Sequence, residues 1–204
     1  MKRLLCLVAA VPLMVVVPGE PGQAHAGPTC QGQPATIVGD SQDHLVGTEG
    51  DDVIVSGGVG SVEALGGDDL ICAVDADFYL DIDAGPGDDV VDTTATDPTT
   101  ELLYTALGTG ADRFVGGPAN DQVWDEKIHQ HSDPGRDVID TGAGNDHVDT
   151  GADGLPNHDV VDLGTGRRDG VGFHGAPGGL PTCRATGSTT SRSTSPRRCP
   201  GRCG

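Results

Sequence analysis

Gly47-Thr48-Glu49-Gly50-Asp51-Asp52-Val53-Ile54-Val55 is the stretch on which the reading of this chain turns. It opens on a glycine-rich run, carries an aspartate at its sixth position, and after one further residue places an apolar side chain. The same frame recurs at 64–72 (ALGGDDLIC), 84–92 (AGPGDDVVD), 107–115 (LGTGADRFV), 116–124 (GGPANDQVW), 132–140 (SDPGRDVID), 141–149 (TGAGNDHVD) and 154–162 (GLPNHDVVD). Copies abut without a gap at 107–124 and again at 132–149, so the unit is nine residues long. A short repeat of fixed period signals a stacked, solenoid-like architecture.

Each half of the unit has a physical task. The glycine-rich half turns sharply, using the positive φ that glycine tolerates. The apolar residue then starts a short strand with its side chain inward and its neighbours outward. Ile54, Ile71, Val91, Phe114, Val123, Ile139, Val148 and Val161 take that inward position. Two units make one coil with a turn on each flank, and same-side turns stack at about the strand spacing of 4.8 Å. Aspartates of successive turns are thereby brought together, which is repulsive unless a divalent cation lies between them. Calcium accepts about 6–8 oxygen ligands in flexible geometry, whereas zinc favours His and Cys and magnesium a stricter octahedron.

On these residues, the segment from about 36 to 166 resembles the hemolysin-type, or RTX, calcium-binding nonapeptide repeats, in the degenerate form of secreted bacterial proteins. The resemblance implies an all-β fold, a parallel β-roll or β-helix solenoid. It implies several Ca2+ ions held by sixth-position carboxylates and turn carbonyls. Carried over residue by residue, the metal role falls on Asp52, Asp69, Asp89, Asp112, Asp121, Asp137, Asp146 and Asp159. The match has gaps: 73–83, 93–106 and 125–131 do not fit the frame, Ala119 replaces a turn glycine, and Val62 stands where the frame at 57–65 expects an aspartate.

If each irregular segment at 73–83 and 93–106 counts as one unit and 125–131 as a loop insertion, alternation sorts the acids. Asp52, Asp69, Asp89, Asp112, Asp137 and Asp159 share one flank. The other flank offers Asp43, Val62, Asp77, a position near Thr99, Asp121 and Asp146. The first is expected to bind calcium nearly along its length and the second only in patches.

Charge and composition bound the function classes. Residues 27–166 hold 29 acids against three bases (Arg113, Lys127, Arg136), a net of −26. That density opposes compaction and argues against nucleic acid or an anionic membrane as partner. With three Phe, two Tyr and one Trp, the chain cannot build a bulky aromatic core, but Val, Ile and Leu can fill a narrow tube. Without calcium the array is expected to be largely disordered.

Residues 1–26 read as a secretory signal peptide: Lys2 and Arg3, an apolar run from Leu4 to Val17, and the small-residue site Ala24-His25-Ala26. No segment approaches the roughly 20 apolar residues of a membrane span. The mature chain is expected outside the cell, with 27–46 as an N-terminal cap and first degenerate repeat, 47–171 as the repeat array, and 172–204 as a low-complexity, disordered tail. Gly164-Thr165-Gly166 opens one more unit, but Arg167 and Arg168 follow where acids belong.

In an oxidising compartment Cys30 and Cys72 are the natural disulfide pair, Cys72 falling at an outward ninth position. His129 and His131, beside Glu126 and Asp133, read as a polar loop insertion. The function expected is a secreted, non-catalytic calcium-binding repeat protein. An adhesive or envelope-structural module with a cell-surface or polysaccharide partner is the alternative. A polysaccharide-acting β-helix enzyme is disfavoured because the array has no basic groove for a polyanion, no Gly-x-Ser-x-Gly elbow and no His-Glu-x-x-His motif.

Overall fold

A computed structural model describes residues 27–40, 44–76, 78–125, 135–151, 155–174 and 182–184. The expected leader at 1–26, most of the expected tail, the expected insertion with His129 and His131, and Asp43 and Asp77 lie outside the described residues.

Within them the chain is all β, without a helix, and winds as a parallel solenoid of two facing sheets. A small antiparallel hairpin, β1 (Thr29–Cys30) and β2 (Gln33–Pro34), precedes it. Sheet one has eight strands: β3 (Ile37–Val38), β5 (Val53–Val55), β7 (Leu70–Val74), β9 (Val90–Ala95), β11 (Arg113–Val115), β13 (Val138–Asp140), β16 (Val160–Asp162) and β19 (Thr182–Arg184). Sheet two has seven: β4 (Leu45–Thr48), β6 (Ser61–Leu65), β8 (Tyr79–Asp83), β10 (Leu102–Ala106), β12 (Asp121–Trp124), β15 (His147–Thr150) and β18 (Gly170–Phe173). The chain alternates between them, so two units complete one coil. Late turns add a small pair, β14 (Ala143–Gly144) and β17 (Thr165–Gly166).

Apolar residues stack in register along the tube. Ile37, Ile54, Ile71, Val91, Phe114, Ile139, Val161 and Cys183 pair in succession through sheet one. Leu45, Val62, Ile82, Val123, Val148 and Val171 do the same in sheet two, with the buried Thr105 taking one place between Ile82 and Val123. All eight residues assigned inward from the repeat are fully enclosed. Branched aliphatics suit this role because they fill a pleated surface at little rotamer cost. Burial forces the register, since a one-residue slip would expose a whole row.

The hairpin lies over the outer face of sheet one. Cys30 is bonded to Cys72 across a Cα–Cα distance of 5.5 Å. The bridge sits in an apolar patch with Val55 and Leu70, flanked by Ala35, Val53, Val74 and Val90, and Gln31 Nε2 donates to Asp92 Oδ2 at 2.9 Å. Closing a loop of 42 residues contributes about 4 kcal/mol in the chain-entropy account. On the outer face of sheet two, Tyr104 stacks on Trp124 with ring centroids 5.4 Å apart, and Tyr79 tilts against Tyr104 at 5.8 Å. These pairs add to cross-strand stabilisation.

Turn glycines are dictated by neighbouring coils. Gly85 (φ +96°) and Gly108 (φ +101°) adopt backbone geometry that L side chains resist, and a Cβ on either would fall inside the carbonyl oxygen of the coil before, Leu65 and Gly85 respectively. Gly50 has open space and no such φ. Gly108→Ala is therefore expected to lower unfolding stability by at least about 2 kcal/mol, and Gly50→Ala by no more than about 0.5 kcal/mol. Chemical denaturation of both variants beside the parent checks this; equal midpoints would refute it.

Candidate metal centre

The turns that carry the chain from sheet two back to sheet one form the first flank, and each delivers an aspartate to the start of its strand. The backbone joins these residues into a ladder. The Asp52 N–H donates to Asp69 Oδ1 at 2.8 Å, Asp69 to Asp89 at 2.8 Å, and Asp89 to Asp112 at 2.8 Å. Asp112 donates to Asp137 at 3.0 Å and Asp137 to Asp159 at 2.9 Å. All six are buried. The flank inferred from alternation is thus one continuous row, with Asp89 and Asp112 adjacent on the same edge.

A second row runs beside part of it. The exposed fifth-position carboxylates bond in the opposite sense: Asp51 accepts from the Asp68 N–H at 3.0 Å, Asp68 from Asp88 at 2.9 Å, and Asp88 from Ala111 at 2.9 Å. Neighbouring turns are therefore clasped twice, by the inner carboxylate reaching back and the outer one reaching forward.

On the second flank the inner ladder is short. Asp121 N–H donates to Asp146 Oδ1 at 3.0 Å, and Asp146 N–H to Asp169 Oδ1 at 3.2 Å. Asp169 was not among the aspartates assigned from the sequence, although Gly164 to Gly172 keeps the frame and puts it sixth; the arginines before it masked the signal. Toward the N-terminus the register corrects the alternation count. Asp121 pairs with Leu103, and Leu103 with Leu80, while the Asp81 N–H bonds the Gly60 carbonyl at 3.1 Å. Gly60, Leu80 and Leu103 thus hold the places equivalent to Asp121. Val62 does not stand in an aspartate position; it pairs with Leu45 and Ile82 in the apolar row. The segment at 57–65 is offset by two residues because its turn is short, and burial of Val62 and Ala64 fixes that offset.

The donor set fits a hard divalent cation. While Oδ1 of each inner carboxylate accepts the ladder bond, Oδ2 of Asp69, Asp89, Asp121 and Asp169 is enclosed and meets no hydrogen-bond donor. Such an oxygen costs roughly 1–3 kcal/mol or more if nothing positive approaches it. Asp52 differs: the Thr48 N–H and Oγ1 both reach its Oδ2 at 2.8 Å, and Thr36 Oγ1 reaches its Oδ1 at 3.1 Å. Near the C-terminal end, Asp125, Asp137 and Asp159 bring carboxylate oxygens within 4.8 Å of one another, all three buried. Asp125 lies in the segment that broke the frame, so no repeat position marked it. Thr150 Oγ1 and the Gly151 N–H bond the outer oxygens of Asp159 and Asp125. Turn carbonyls of the first flank face the next coil: a side chain on Gly87 or Gly110 would overlap the carbonyl oxygen of Gly67 or Gly87. Carboxylates and carbonyls offer oxygen alone, the ligand chemistry of calcium.

Electrostatics agrees. Burial pushes Asp89 and Asp121 up to about 8, and the carboxylates of Asp112 and Asp146 next to them push the same way. Burial likewise raises Asp69 and Asp146 to about 6. Without a cation Asp89 and Asp121 hold protons at neutral pH; a divalent ion would supply the missing positive charge.

A family model, RTX calcium-binding nonapeptide repeat, matches the chain over residues 37–58, 107–126 and 131–154, with four copies of the repeat. No curated protein and no solved structure gives a match. The matched segments contain Asp52, Asp112, Asp121, Asp137 and Asp146 of the two ladders, and the solenoid continues through and beyond the stretches between them. This chain carries the hemolysin-type RTX calcium-binding nonapeptide repeat and winds it into a parallel β-solenoid.

Proposed function

We propose that this calcium-binding repeat protein is an exported, non-catalytic module whose folding near neutral pH is coupled to calcium occupying the ladders. The reading is carried by one observation: buried carboxylates are joined coil to coil through one oxygen, and the other oxygen meets no donor at Asp69, Asp89, Asp121 and Asp169. Asp69, Asp89, Asp112, Asp121, Asp137, Asp146 and Asp159 hold the ions, and Asp169 extends the second row. Asp125 adds a third carboxylate to the Asp137–Asp159 pair. Each ion favours the folded chain by mass action. Affinities in the range of roughly 10⁻⁴–10⁻³ M, usual for extracellular modules, would load the sites outside a cell and leave them empty within. The leader at 1–26 supports that route. Among the described residues, no helix is long and apolar enough to cross a membrane.

Calcium titration of the purified chain tests the coupling. β-type circular dichroism and the emission of Trp124, the sole tryptophan, should change together as several ions bind. Identical spectra in calcium and in chelator would overturn the proposal.

Asp89 and Asp88 separate ligation from clasping. Asp89→Asn should raise the calcium midpoint roughly tenfold or more by removing a buried charged ligand. Asp88→Asn, at an exposed outer rung, should move it far less. Equal shifts would remove Asp89 from the ligand set.

The pH response has a definite sign. Asp69, Asp89, Asp121 and Asp146 have folded-state values above the ordinary carboxylate range, so the unfolded chain loses protons first as pH rises. Their contribution to the stability of the metal-free fold is complete below about pH 4 and is lost through about 6 and then about 8. In chelator, β-structure should therefore weaken from pH 4 to 8, while calcium affinity rises over the same window as protons leave. A metal-free form that strengthens toward pH 8 would contradict this.

A further inference from the structure

The second flank is built of two materials, and the change falls between β10 and β12. We propose that the solenoid has two zones: an N-terminal zone, up to β10, that keeps its coils without metal, and a C-terminal zone, from β12, that loses them. The inference rests on the calcium-coupled folding proposed above and says where along the chain that coupling acts.

Three independent observations locate the boundary. The sixth-position places of the second flank hold Gly60, Leu80 and Leu103 before it and Asp121, Asp146 and Asp169 after it. Leu80 and Leu103 are fully buried and join the same apolar core as Ile71, Ile82 and Val91. Hydrocarbon there contributes to closure at any calcium concentration, whereas a buried carboxylate opposes closure until its charge is met.

Second, the early turns of this flank are tied by hydroxyl groups. Ser56 Oγ donates to the Val74 carbonyl at 2.9 Å and accepts from the Val74 N–H at 2.9 Å. Thr100 Oγ1 donates to the Ala76 carbonyl at 2.8 Å, and Asp97 accepts from the Thr99 N–H and Oγ1 at 2.8 and 2.6 Å. The Ser56 and Thr100 bonds join one coil to the next without an ion, and the Asp97–Thr99 bonds brace a single turn. In the later coils the corresponding bonds run through Asp146 and Asp169.

Third, the N-terminal zone is closed by its own chain. The Cys30–Cys72 bond ties the hairpin to β7, Gln31 reaches Asp92 in β9, and Thr36 and Thr48 satisfy both oxygens of Asp52, the first rung of the long ladder. Asp69 and Asp89 remain as acids of the first flank in this zone, so its calcium response is partial rather than absent.

Hydrogen–deuterium exchange of the full, disulfide-bonded chain in calcium and in chelator reads the two zones directly. In chelator, amides of β5 to β10 (53–106) should keep most of their protection, while those of β12, β15 and β18 should exchange at least about tenfold faster. Equal loss in both halves would overturn the zoning and leave calcium-coupled folding standing. No response in either half would overturn both. Leu103→Asp gives a second reading by extending the acidic row across the boundary: β10 should then become calcium-dependent. A Leu103→Asp chain whose β10 stays protected in chelator would count against the proposal.

Discussion

The backbone N–H of each inner aspartate on the first flank donates to the carboxylate one coil further on, at 2.8–3.0 Å over five successive steps. That bond sets the distance between turns, draws the carboxylate under the surface and starts the following strand in register. The apolar row of sheet one inherits its alignment from it, because the inward residue there comes two positions later. A buried ionic acceptor makes a stronger bond than a neutral one, but it also brings a charge that the interior must accommodate. Everything specific to this protein follows from that tension between a good acceptor and a poor place for charge.

The tube is too narrow to settle the matter by hydrophobic burial. Its core is one or two aliphatic side chains wide, and Phe114 is the one aromatic among its fully buried residues. Sharing a carboxylate between coils satisfies one oxygen and a backbone donor at once. It leaves the remaining oxygen facing the adjoining turn, where protons or a cation must complete the set. Under the proposed coupling, protons would serve in acid and calcium near neutrality, so the two would compete for one group of oxygens. The first coils avoid part of this competition by substituting leucine, serine and threonine on one flank and by anchoring the hairpin covalently.

Most of this architecture could be read in the sequence because position within the unit carries physical meaning. An aspartate followed two residues later by Ile, Val or Phe specifies turn, strand start and inward face together, and the repeat reproduced this eight times. The flank of Asp52 through Asp159 followed from counting turns. Less legible were coils where other chemistry performs the same task. Leu80 and Leu103 are inner-turn residues without a charge to mark them, and Val62 mimics a missing aspartate only because the turn from Ile54 is one residue shorter than in the abutting units. Asp169 lay in plain frame behind Arg167 and Arg168. Asp125 contributes from outside the frame altogether, through three-dimensional proximity to Asp137 and Asp159 that a linear period cannot express.

The ladder bonds span 17, 20, 23, 25 and 22 residues of sequence. The same contact thus survives a variation of eight residues in coil length. What must be conserved is the short path from sixth position to strand; the remainder of the circuit can lengthen freely, and the entropy of a longer loop grows only slowly with its size. Drift by insertion and deletion therefore leaves the architecture standing while erasing the regular period by which such chains are recognised.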